Sequence, residues 1–255
     1  LIYALVFIGS FLVIFVIVGG RTVLKNRSVR KFVRSIKQRV NLAEKRNAEL
    51  VKESPADKPD TNSRSTAIQL QKVRTLINAA ERAEAREKLE EAEGFYIQAL
   101  TAYPDAHEAH AQLAKLYLNM GRDQKAEAMY RELLAKIDDA SCYSNLGLAY
   151  YRQGKFDRAC ASYQKALERD PQSHKRMAAF GRALFASERF GEAMSYLEKA
   201  TARLSRDTEL LRLFAESCEK SEDSVKALEV YRKINKLEPY DEEVKEKLRT
   251  LNSIE

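Results

Sequence analysis

The chain has 255 residues, with 44 Lys and Arg against 37 Asp and Glu, and 45% of its residues are hydrophobic. The net charge of +7 suggests a nucleic-acid partner until it is divided: residues 1–52 hold 11 basic and 2 acidic side chains, residues 53–255 hold 33 and 35, and so the larger part lacks the concentrated basic surface of a phosphate-backbone binder. Three cysteines, Cys142, Cys160 and Cys218, show no CxxC spacing, which argues against a disulfide framework or a zinc ribbon and reads as reduced, buried thiols.

Residues 1–20, LIYALVFIGSFLVIFVIVGG, carry no charge. A helix of that length rises about 30 Å, the thickness of bilayer hydrocarbon. The run has no A-x-A-like cleavage site, and its positive charges follow the apolar stretch, the reverse of a signal peptide. A retained single-pass transmembrane helix is predicted. Arg21, Lys25, Arg27, Arg30, Lys31, Arg34, Lys37 and Arg39 come next, with no acid among them. By the positive-inside rule they keep the following domain on the cytoplasmic side, unless a further span or a basic leader precedes Leu1.

Residues 21–52 form a basic juxtamembrane helix with two competing readings. Val29, Val33, Ile36, Val40, Ala43, Asn47 and Leu50 alternate in steps of four and three, a heptad seam of a parallel coiled coil that would make the chain a homo-oligomer. The same helix also suits the bilayer surface, its basic face toward anionic lipid. Residues 53–66, ESPADKPDTNSRST, contain two prolines and no large apolar residue, and read as a flexible linker.

Residues 67–255 form one domain, in which the sequence repeats from about Val73 to Tyr240. Ala92 recurs as Ala126, Ala159, Ala193 and Ala227, at spacings of 34, 33, 34 and 34 residues. Four residues after each stand Tyr96, Tyr130, Tyr163, Leu197 and Tyr231, and seven after stand Ala99, Leu133, Ala166, Ala200 and Ile234, which is a helix face. Thirteen residues before come Ala79, Leu113, Leu146, Phe180 and Phe214, each followed by a small residue: Ala80, Ala114, Gly147, Gly181 and Ala215. The small residues predict close approach of two helices. The clearest copy, YSNLGLAYYRQGKFDRACASYQKALERDP, resembles the tetratricopeptide repeat at Tyr143, Leu146, Gly147, Tyr150, Gly154, Ala159, Tyr163, Ala166 and Pro171. The resemblance implies an all-α superhelical solenoid of about five helix-turn-helix repeats. Val244, Leu248 and Leu251 then place a capping helix at the end.

Chemistry for catalysis is not found. His107 and His110 lack a third metal ligand and read as a surface pair, and the run ERAEAREKLEEAE from Glu81 to Glu93 reads as a solvated face. No phosphate-cradling glycine loop and no nucleophile with a base appears, so neither an enzyme nor a cofactor is expected.

The resemblance implies instead a groove lined by first helices that holds a peptide segment of a protein partner. By repeat register it would contain Lys115, Leu118, Asn145, Leu148, Tyr151, Arg152, Lys175, Arg182 and Phe185. Chaperone-tail clamps of the family use lysines and asparagines on three first helices. Asn145 and Lys175 fit that pattern, but Ala111, Lys115 and Ala179 do not. The expected function is a membrane-anchored scaffold or adaptor within a larger assembly. A structural assembly subunit, or an accessory subunit of an envelope-biogenesis or protein-import complex, is the alternative.

Overall fold

A computed structural model of the protein describes Lys31, Arg34, Ser35, Gln38 and Leu42, all helical and exposed, and the chain from Asp60 to Asn252, with side chains from Ala67. The transmembrane helix expected over 1–20 lies outside the described residues, as do most of 21–52 and six of the eight juxtamembrane cations. Among the described residues no helix is long and apolar enough to cross a membrane.

From Asp60 to Asn252 the chain forms eleven helices and no strands: α1 Asp60–Glu84, α2 Leu89–Ala102, α3 His107–Asn119, α4 Asp123–Leu133, α5 Ala140–Arg152, α6 Phe156–Arg169, α7 His174–Ala186, α8 Phe190–Thr201, α9 Thr208–Lys220, α10 Ser224–Leu237 and α11 Glu242–Asn252. The linker expected over 53–66 is corrected at its end, because α1 begins at Asp60. Pro59 is the last proline of that stretch. Beyond it each added residue gains a hydrogen bond, so α1 extends back across a stretch whose composition alone reads as coil.

Each predicted repeat is a helix pair. The five marker alanines, Ala92, Ala126, Ala159, Ala193 and Ala227, all lie on second helices and are completely buried. The turn inside each pair is built the same way. Arg122 N–H donates to Tyr117 C=O (2.8 Å), Lys155 to Tyr150 (3.0 Å), Arg189 to Leu184 (2.9 Å), Asp223 to Cys218 (2.9 Å) and Lys88 to Ala83 (2.9 Å). The residue before each donor has a left-handed backbone: Gly121, Gly154, Glu188, Glu222 and Glu87, with φ between 60° and 72°. This is a Schellman closure, which satisfies carbonyls that a helix end leaves open.

The chain divides into two compact units, residues 1–129 and 130–255. In the first, α1 packs on α2 and α2 on α3. Val73, Ile77, Ala80 and Ala83 form the buried stripe of α1. The charged run there is not purely a solvated face. Glu84 accepts a bond from Tyr96 Oη (2.6 Å), and Glu93 accepts from Tyr117 Oη (2.8 Å) and from Arg122 (2.6 Å). Helical spacing marks which positions share a face. It does not mark which carboxylate meets a buried phenol, and those two are drawn inward because an unpaired phenol is costly to bury. His110 is likewise buried, not a surface residue, since it shares the inward face of α3 with Leu113, Ala114 and Tyr117.

In the second unit the pairs α5–α6, α7–α8 and α9–α10 stack through α6 on α7 and α8 on α9, and α11 covers α10. Successive first helices also touch, α5 with α7 and α7 with α9. The small residues explain the closeness within pairs. A Cβ at Gly147 would lie 2.9 Å from the Tyr163 ring, and one at Gly181 would lie 2.6 Å from Leu197 Cγ. Asp139, Asp207 and Asp223 cap α5, α9 and α10 by accepting from the N–H of Cys142 (2.7 Å), Leu210 (2.9 Å) and Lys226 (3.0 Å). Cys142, Cys160 and Cys218 are buried free thiols, and burial pushes Cys142 and Cys218 each up to about 12.

Candidate functional site

The second unit carries the residues of interest on two successive first helices, α5 and α7. Tyr151 and Phe185 end these helices at the same repeat position. Each leans on the aromatic residue that opens the following second helix: Tyr151 on Phe156 with ring centroids 5.5 Å apart, and Phe185 on Phe190 at 5.3 Å, edge-on. Both rings are therefore held on one side while remaining only half-buried. A ring fixed in this way loses little entropy when a ligand covers its open side. Phe156 and Phe190 are absent from the residues expected by register. Their own spacing of 34 residues is the signal that could have found them.

Arg152 and Lys175 are exposed, and Leu148 is half-buried. Lys175 sits in the first turn of α7, HKRM, which contains no acidic residue. Cations there oppose the helix dipole, so this turn is not arranged for helix stability. Its neighbour Arg176 is compensated: it pairs with Asp170 and donates to Ser144 Oγ (3.0 Å) and Ser141 Oγ (3.2 Å), tying α7 to α5. That bridge, also unforeseen, sets the spacing of the two first helices. Arg182 is half-buried and lies 3.8 Å from Asp207, the N-cap of α9.

Two expected groove residues are corrected. Asn145 is half-buried and donates through Nδ2 to Tyr130 Oη at 2.9 Å, so its amide ties α5 to α4 of the preceding repeat. Leu118 is only 4% exposed. It shares the register of Tyr151 and Phe185, but a leucine side chain is covered at that position whereas the larger rings emerge. Lys115 is exposed on α3 in the first unit. Among the described residues no group of three His, Cys, Asp or Glu is placed to hold a metal ion.

Models of the tetratricopeptide repeat match residues 83–147 and 140–173. Among curated relatives, the human protein O-mannosyl-transferase TMTC1 is 29% identical over 138 residues, 54% of this chain. The human cilia- and flagella-associated protein 70 is 28% identical over 140 residues, 53% of the chain. The chain spans 16% and 12% of the lengths of these two proteins. Solved structures share the fold. MamA of Desulfovibrio magneticus superposes with a TM-score of 0.62 at 16% identity, over 67% of this chain and 97% of that one. YrrB, described as a TPR protein with an unusual peptide-binding site, gives 0.59 at 22% identity over 66% and 87%. Repeats of this type mediate protein–protein interaction. Together with the repeated turn, the buried alanines and the paired helices, these likenesses establish that the chain carries tetratricopeptide repeats in an all-α array.

Proposed function

We propose that this protein is an adaptor that recruits a peptide segment of a protein partner to the first helices of its repeats, held at a membrane by residues 1–20 with the repeats on the cytoplasmic side. The observation that carries the reading is the pair of aromatic side chains, Tyr151 and Phe185, braced at matching positions of adjacent first helices and half open. On the same first helices Leu148 precedes and Arg152 follows Tyr151, Arg182 precedes Phe185 by three residues, and Lys175 lies in the first turn of α7. Such a surface fits a segment with hydrophobic anchors flanked by carboxylates. YrrB's described peptide-binding site is consistent with this use of the fold. The membrane half of the reading is supported by the charge-free apolar run and the cations that follow it.

The test is comparative co-purification from gently solubilised membranes. A partner retained by the wild-type chain should be depleted when Arg152 and Lys175, both exposed, are replaced by Glu. Equal recovery from the two proteins would reject the groove as the recruiting surface.

A further inference from the structure

A second cleft of about 390 Å³ lies within the second unit, bordered by α4, α5 and α6. Its walls are Arg131 on α4 and Leu134 just after it, Tyr143, Leu146 and Tyr150 on α5, and Arg158, Ala161 and Lys165 on α6. No lining residue is acidic, although residues 53–255 as a whole have more acids than bases. The tyrosines hold the cations in place. Arg158 lies 6.0 Å from the Tyr150 ring centre, and Lys165 Nζ lies 5.6 Å from that of Tyr143. Arg169 also stacks on Tyr143, at 4.4 Å, but it is paired with Asp138 and contributes no spare charge.

We infer that this cleft is a second docking site, separate from the groove, for an extended acidic peptide carrying two carboxylates three residues apart with an aliphatic side chain between them. Arg158 and Lys165 are seven residues apart on one helix face, which separates them by about 10 Å along the axis. One small anion cannot bridge that distance. Three residues of extended chain span about 10 Å and can. Between the cations Ala161 is exposed and small, leaving room over Leu146 and Leu134 for the aliphatic group. A nucleic-acid strand is disfavoured by the net acidity of the surrounding repeats.

The experiment measures fluorescence polarisation of a labelled short peptide, with aspartates at i and i+3 and leucine between, titrated with the full-length chain in mild detergent. Binding should weaken with added salt. Ala161→Trp, which fills the cleft from its exposed side, should weaken binding about tenfold or more, as should Arg158→Glu with Lys165→Glu. Tyr151→Ala with Phe185→Ala should leave it unchanged, which separates this site from the groove. Circular dichroism confirms that each variant is folded. The inference is overturned if the cleft variants bind as the wild type does, if the groove variant alone loses the peptide, or if inorganic phosphate at comparable concentration displaces it fully. Equal binding of a vesicle or an oligonucleotide sensitive to the same cleft variants would overturn the choice of a peptide.

Discussion

At the scale of single residues, the small side chains facing the second helices decide how tightly each pair closes. Gly181 is the stricter case: an added methyl would meet Leu197 at its branching carbon, 2.6 Å away, whereas at Gly147 it would meet the Tyr163 ring at 2.9 Å. Gly181→Ala should therefore destabilise by about 1–3 kcal/mol, and Gly147→Ala by less, as measured by denaturant unfolding. Equal stability of Gly181→Ala and wild type would mean that the helices can separate freely. The turn positions make a second, opposite test. Gly154 has a φ of 72° and open space around it, so Gly154→Ala should cost about 1 kcal/mol through backbone strain alone. Glu188 has φ 62° without being glycine, so Glu188→Gly should be neutral or stabilising, despite the extra entropy it gives the unfolded chain. Melting temperatures of the pair decide it.

At the scale of elements, the order and pairing of the repeat helices were legible because one unit is copied. Five alanines at near-constant spacing placed all five second helices, and the small residues twelve positions earlier placed the first. Register does not reveal interactions that depend on reach. Glu84 and Glu93 bond to buried phenols, Asn145 turns to Tyr130, and Arg176 spans from α7 to two serines of α5. The start of α1 is hidden for a different reason, since composition records the absence of apolar residues but not the cooperativity that lengthens a helix already formed. The capping helix α11 illustrates how such contacts fix an element. Its N-terminal Asp241 accepts from Val244 N–H (3.1 Å) and pairs, with Glu238, to Arg212 on α9. The Val244 N–H and then Arg212 hold the Asp241 carboxyl below the usual carboxylate range. A depressed pKa means that this contribution is present above the ordinary carboxylate value of about 4 and is lost as pH falls through the lower, folded value. Arg212→Met should accelerate amide exchange in α11 at neutral pH. Unchanged exchange there would show that apolar contacts of Val244 and Leu251 suffice.

For the whole molecule, the tyrosines set an alkaline limit. Tyr96, Tyr117, Tyr130, Tyr163 and Tyr231 all have phenols raised above the ordinary value, in each case mainly by burial, with Glu84, Glu93 and Glu219 adding to the effect at Tyr96, Tyr117 and Tyr231. A raised folded pKa stabilises fully below the unfolded value of about 10 and is lost as pH climbs above it. Absorbance of phenolate and helical ellipticity should therefore change together above about pH 10. Phenolate formation at these five positions ahead of any loss of helix would contradict their burial. Membrane orientation is a separate question of the same scale: protease added outside intact cells should spare the repeats, and digestion without detergent would place them on the other side. The most direct measurement of the central claim is the binding kinetics of the co-purified partner with wild type, with Tyr151→Ala/Phe185→Ala, and with Arg152→Glu/Lys175→Glu, each shown to be folded. Replacing the aromatic pair should raise the dissociation rate, at a cost of about 1–3 kcal/mol, and the charge reversals should chiefly slow association and flatten its salt dependence. Wild-type affinity and kinetics in both variants would contradict the central claim.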